Sequence, residues 1–243
     1  MDCVSLGRMV AVTRLFTFGC SFTNYRWSTW ADCLAPEFDQ FANWGQGGAG
    51  NPYIFNSVME ADQRHRFGHG DTVIVCWSSY LRDDRYVDGR WHTLGNMFNC
   101  PIYQPEYLRT HVDDRGYVIR DMAMIKGVKC LLESKAGLTW RFLSMIDLNA
   151  GPRCESHPGE PKDVFELYQD VLDSILPSFQ KVLYSQGWKQ GDPHPSPTEH
   201  LQYLDTVLPG WVTKAETRAK MQLESENLKK DPNRSGLAKV SRL

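Results

Sequence analysis

Residues 15–25 read "LFTFGCSFTNY". An apolar run stops at Gly19, and Cys20 and Ser21 follow at once, two side chains able to act as nucleophiles. Short apolar runs that end at turn-forming residues suit buried strands better than helices. Three more such runs follow: "FDQFANW" (38–44) leads into "GQGGAGNP", "TVIVCW" (72–77) follows "GHGD", and "TWRFLSMI" (139–146) precedes "DLNAGP". The longer segments between them, 26–34, 51–66 and about 114–134, are expected to be helical. Strands alternating with helices predict an α/β fold, with a mainly parallel central sheet covered by helices on both faces.

The chain has 243 residues, 42% hydrophobic and 23% charged, enough for a sizeable core without staples. A net charge of −2 gives no basic field for nucleic acid or an anionic membrane. No apolar stretch approaches the roughly 20 residues that span a bilayer. The N-terminal "MDCVSLGRMVAVTRLF" lacks the charged, apolar and small-residue order of an export signal. Seven cysteines, an odd number with no C-x-x-C pair, argue against both a disulfide framework and a zinc site. A reducing, cytoplasmic setting is therefore expected. "CESH" (Cys154, His157) lacks a second ligand pair, and "HRFGH" (His65, His69) lacks the glutamate of a zinc-protease helix, so no metal is expected.

Residues 81–112 are polar and aromatic-rich without clear periodicity, and read as a long insertion after the third strand, a place where binding loops and lids occur. Residues 1–210 are expected to form one domain, and 211–243 a charged helix and tail.

Three motifs carry the chemistry. "FGCSFT" places Ser21 on a strand-to-helix turn, where helix N-terminal amides would point at it, although a serine there is also an ordinary N-cap. "NWGQGGAGN" is a glycine loop that lets backbone amides approach a ligand, with Asn51 where a helix starts. It lacks the lysine and Ser/Thr of a phosphate loop. "GDPHPSPTEH" fits a capping box from Ser196 to Glu199 with proline first in the helix. Asp192 and His194 then lie on the preceding loop, with Pro193 and Pro195 stiffening the backbone of a candidate base. His200 falls inside that helix, where packing is expected.

In that order the three motifs resemble the blocks of the SGNH/GDSL hydrolase superfamily. "FGCSFT" looks like its Gly-Asp-Ser block with Cys20 at the acidic position, a form similar to that of bacterial and phage members. "NWGQGGAGN" resembles the second block, with Gly48 matching the oxyanion glycine, and "DPHPSPTEH" resembles the closing Asp-x-x-His block. Two departures stand out. "CWSSYLR" replaces the Asn block after the third strand, and the closing block is Asp-x-His, one residue shorter. The resemblance implies a three-layer, flavodoxin-like α/β/α fold and a serine esterase or O-deacetylase without a cofactor. It would act on a small-molecule or carbohydrate ester, with Ser21, His194 and Asp192 as the triad. Gly48 and the Ser21 amide would form the oxyanion hole, with Asn51 or Ser78 (or Ser79) replacing the missing Asn. Arg82 would sit at the same sheet edge, either binding an anionic substrate group or pairing with Asp83 or Asp84. Strand alternation favours Ser21 over Cys20 as the nucleophile. Two alternatives share the fold: an O-acyltransferase using the same triad on a sugar or nucleoside, and a binding module that has lost turnover.

Overall fold

A computed structural model of the chain describes residues 12–149, 161–187 and 192–231. The elements in order are β1 (Arg14–Phe18), α1 (Trp30–Leu34), β2 (Gln40–Asn43), α2 (Asn51–His65) and β3 (Asp71–Trp77). A hairpin of β4 (Arg85–Val87) and β5 (Arg90–His92) follows, then α3 (Pro105–His111), α4 (Asp114–Glu133) and β6 (Thr139–Ser144). The chain continues through α5 (Lys162–Leu167), α6 (Gln169–Leu172), α7 (Phe179–Leu183), α8 (Pro197–Val207) and α9 (Ala215–Lys230). Cys154 and His157 lie outside the described residues. So do the first residues and the last twelve of the tail.

β2, β1, β3 and β6 form one sheet in that order, all parallel. All seven residues of β3 are buried, as both faces of a central parallel strand should be. α2 packs with α4, while α1 packs with α8 and α9, giving the expected three layers. Beyond β6, Ile175 pairs with Phe142 as a single parallel bridge, one step further along the sheet. In a doubly wound sheet ligands bind at the strand C-termini, where the connections part to opposite sides. Here the chain leaves β1 for β2 on one side and crosses back to β3 on the other. The ends of β1 and β3, Gly19–Ser21 and Ser78, border that crevice.

The four strands of the parallel sheet and the helices α2 and α4 fall where the sequence puts them, within one to two residues at most ends, while the β4–β5 hairpin lies in the segment read as an insertion. The 26–34 segment differs. Only Trp30–Leu34 is helical, and residues 20–24 form a tight turn in which the Cys20 carbonyl accepts from the amides of Thr23 (2.9 Å) and Asn24 (3.1 Å). α9 is part of the packed domain. Its Glu224 accepts from the Ser28 amide at 3.0 Å, Ser225 accepts from the Thr198 amide at 3.0 Å, and Arg218 pairs with Asp205.

α2 begins at Gly50, which has no side chain to cap the helix amides. The buried Asp84 carboxylate, from the insertion, takes that role and accepts from the amides of Gly50 (2.9 Å) and Tyr53 (2.9 Å). Burial pushes the Asp84 carboxyl up; those amides and the nearby Arg82 and Arg120 pull against it. Asn51, fully buried, clasps the end of β3. Its Oδ1 accepts from the Ser78 amide at 2.8 Å, and its Nδ2 donates to the Ser78 carbonyl at 3.1 Å and to Asp121 Oδ2 at 2.5 Å. Every polar atom of the amide is thus engaged.

Removing this clasp strands the Ser78 amide and carbonyl and one Asp121 oxygen away from water. Asn51→Ala is expected to lower unfolding free energy by about 3 kcal/mol, read by chemical denaturation. Asp121 is pushed up to about 6, with burial outweighing the pull of Arg120 and Asn51. A carboxyl raised above its ordinary value of 3.8 holds its proton longer in the folded state. Its contribution is complete below about pH 4 and lost as pH rises through about 6. Asp121→Asn should flatten the wild-type fall in stability over that interval, measured as denaturation midpoints against pH.

Candidate active site

Gly19 ends β1 against the neighbouring strand. A Cβ there would collide with Thr23 and lie 3.0 Å from the Cys76 carbonyl, so only glycine fits. The turn that follows is bolted to the glycine loop. Asn43 Nδ2 donates to the Thr23 carbonyl at 2.9 Å, Asn24 Nδ2 donates to the Gly45 carbonyl at 2.9 Å, and the Gln46 amide donates to the Gly19 carbonyl at 3.0 Å. The turn sends Cys20 into the core, fully buried with its Sγ 3.9 Å from Met145 Sδ. Ser21 faces the other way.

His194 Nε2 lies 2.8 Å from Ser21 Oγ, and its Nδ1 lies 2.5 Å from Asp192 Oδ1. The short Asp-x-His spacing works because the same Oδ1 also accepts from the His194 backbone amide at 3.0 Å. One carboxylate oxygen therefore closes a local turn and orients the ring. The second oxygen, Oδ2, accepts from the Tyr25 hydroxyl at 2.7 Å and from Arg26 Nη2 at 3.0 Å. Partial burial pushes Asp192 up, but the Tyr25 hydroxyl and the His194 amide and ring outweigh it, and the carboxyl is lowered to about 2. An ionised carboxylate only accepts, so Nδ1 carries the ring proton. Nε2 is left as the acceptor for the Ser21 hydroxyl.

Other contacts fix the ring in place. Tyr25 stacks on His194 at 3.8 Å between centroids and 15° between planes, and Phe22 lies 5.7 Å from it. Trp27 Nε1 donates to the Pro195 carbonyl at 2.7 Å and pins the proline turn. The expected capping box is present: the Ser196 amide donates to Glu199 at 2.6 Å, and Ser196 Oγ accepts from the Glu199 amide. His200 is buried among Phe22 and Phe179, as packing required.

The remaining candidates divide. Gly48 has φ +76, and the insertion closes over it, with the Gly95 amide donating to its carbonyl at 3.0 Å. Neither the Ser21 amide nor the Gly48 amide donates to a backbone acceptor among the described residues. Asn51 and Ser78 do not fit the expected donor role. The Asn51 amide is fully occupied by Ser78 and Asp121, and Ser78 is wholly buried with its own amide held by Asn51. Ser79 Oγ accepts from the Leu81 amide at 3.2 Å. Arg82 pairs with neither Asp83 nor Asp84, because Arg85 and Arg120 hold Asp83 and helix amides hold Asp84. Ser21 also differs from the helix-start expectation: the first helix after it begins nine residues later, with Thr29 as its N-cap. Tyr25 and Arg26 were not singled out from the sequence, although "NYRW" is conspicuously aromatic and basic.

Among the described residues no group of His, Cys, Asp or Glu side chains could hold a metal ion, and no helix is long and apolar enough to cross a membrane. No protein-family model and no curated protein sequence matches the chain. Solved structures similar to it include a member of the lipolytic G-D-S-L family from Veillonella parvula, at 11% identity and TM-score 0.42 over 80% of this chain and 96% of that one. TesA is similar at 14% identity and TM-score 0.44 over 81% and 99%. The psychrotrophic esterase EstA from Pseudoalteromonas sp., inhibited by monoethylphosphonate, is similar at 12% identity and TM-score 0.42 over 79% and 95%. Likenesses of this size assign no residue a role.

Tyr25→Phe deletes one donor to Asp192 and keeps the stacked ring. The Asp192 carboxyl should rise from about 2 toward 3.8, read by carboxyl 13C NMR titration. A lowered carboxyl stabilises the fold above about pH 4 and loses that contribution as pH falls through about 2, so the variant should also unfold at higher pH during acid titration.

Proposed function

We propose that the chain is a serine hydrolase of SGNH type, an esterase or O-deacetylase working through a covalent acyl-enzyme. The observation that carries this reading is the 2.8 Å approach of His194 Nε2 to Ser21 Oγ, with the opposite ring nitrogen held on Asp192. The serine has a base in reach and the base has an orienting carboxylate. The order of the three motifs along the chain supports the same reading.

In the first step Ser21 Oγ attacks the ester carbonyl carbon and its proton passes to His194 Nε2. The negative charge gathers on the carbonyl oxygen, where the amides of Ser21 and Gly48 donate to it. Losing one such donor typically costs ~3 kcal/mol in transition-state stabilisation. The tetrahedral intermediate collapses, the C–O bond to the alcohol breaks, and the His194 proton goes to the departing oxygen. Water then enters, gives a proton to Nε2 and attacks the acyl carbon. Collapse returns the proton to Ser21 Oγ and releases the acid. Throughout, Asp192 stays ionised and balances the imidazolium.

A fluorophosphonate probe and a panel of short-chain 4-nitrophenyl esters test this directly. Wild-type protein should be labelled at Ser21 and hydrolyse the esters. Ser21→Ala should lose labelling and at least ~10³-fold in kcat/KM, whereas Cys20→Ala should keep both. A well-folded wild-type protein that the probe does not label, or a Ser21→Ala variant of full activity, would overturn the assignment.

A further inference from the structure

Arg82, at the edge of this site, makes no ion pair among the described residues. Its backbone is fixed on both sides, paired with Asn96 in an antiparallel bridge and accepting at its carbonyl from Arg120 Nη2 at 3.0 Å. Its side chain packs on Gly50, where even a Cβ would come within 2.6 Å of the Arg82 Cβ. From there the guanidinium reaches between the glycine loop and the end of β6. Nη1 donates to the Ala49 carbonyl at 2.9 Å, next to Gly48, and Nη2 lies 3.6 Å from Met145 Sδ. That sulfur also receives the Cys20 thiol, immediately before the proposed nucleophile.

The neighbouring cations at this end of the sheet are neutralised: Arg26 by Asp192, Arg85 by Asp83, and Arg120 by Asp83 and Asp121. Arg82 has no ion pair among the described residues. The Asp84 carboxylate, which interacts with it electrostatically, is turned to the amides of Gly50 and Tyr53. Its Nε is buried with no acceptor, and Nη2 has only a thioether, a weak acceptor that an oxyanion readily replaces. A guanidinium holds five donors in a planar fork matched to a carboxylate. Here one donor faces a backbone carbonyl, another a thioether, and no carboxylate oxygen engages the fork. A single available cation suits a monoanion better than a phosphate dianion.

Building on the hydrolase reading, we infer that the substrate ester carries a carboxylate, and that Arg82 binds it beside the glycine loop while Ser21 attacks the ester carbonyl. Arg82 is then the residue that sets substrate class, and neutral esters of the same shape are poorer substrates.

Two matched pairs test this on the full chain: 4-nitrophenyl hemisuccinate against its methyl ester, and 2-acetoxypropanoate against its methyl ester. Wild-type protein should favour the acid over the ester in at least one pair, by about 10-fold or more in kcat/KM. Arg82→Gln should cut that acid-to-neutral ratio at least ~10-fold, with Arg82→Lys in between. Equal treatment of both pairs by the wild type, or an unchanged ratio in Arg82→Gln, would overturn the inference. In wild-type protein, free succinate should slow fluorophosphonate labelling of Ser21 while succinamide does not, a readout that holds if Arg82→Gln fails to fold. Equal effects of the two compounds would count against the site. Absence of labelling in every condition would instead sink the hydrolase reading itself.

Discussion

The amides at the start of α2 have no cap from their own residues, and much of the sheet edge is arranged to supply one. Gly50 allows the close approach of Arg82, and the price is an uncapped helix N-terminus. Asp84 restores the cap from the insertion, and a carboxylate at that end also meets the positive pole of the helix dipole. One residue on, Asn51 ties the same helix turn to the backbone of Ser78 and to Asp121 on α4. Insertion, helix, central strand and α4 therefore meet within two residues of chain. The glycine loop just before them is held by the Gln46–Gly19 bond on one side and the Gly95–Gly48 bond on the other. A loop of glycines would otherwise be loose, and loose donors stabilise an oxyanion poorly because they must be ordered during the reaction.

A comparable economy governs Asp192. A carboxylate has two oxygens, and here each has separate duties. Oδ1 closes the turn onto the His194 amide and ring, while Oδ2 anchors the turn to Tyr25 and Arg26 on the segment after the nucleophile. The two segments are thereby joined twice, once through the Ser21–His194 contact and once through this outer pair of bonds. Stacking by Tyr25 removes the remaining freedom of the ring. The Asp-x-His spacing lets one carboxylate oxygen hold both the His194 amide and its ring.

Much of this was legible in the sequence, for physical reasons. β3 is buried on both faces, so its apolar run is unbroken, and the α8 start carries a complete capping box ahead of a proline-flanked histidine. Asn51 and Ser78 were misplaced because a buried strut and an oxyanion donor use the same side chains. Only the positions of Asp121 and the Ser78 backbone, set by tertiary packing, distinguish them. The helix expected directly after Ser21 fails because the Cys20 carbonyl closes a turn and Asn43, Asn24 and Thr29 then draw the chain toward the glycine loop. Tyr25 and Arg26 meet Asp192 across 167 and 166 residues, a relation that no local pattern encodes.

Cys20 shows how the two sides of one turn share the work. The turn after β1 puts its thiol in the core, where it lies against Met145, and Met145 in turn lies against the Arg82 guanidinium. The side chain preceding the proposed nucleophile therefore helps set the height of the floor on which that guanidinium rests. Cys20, Met145 and Arg82 thus form one contiguous row from the core to the end of β3.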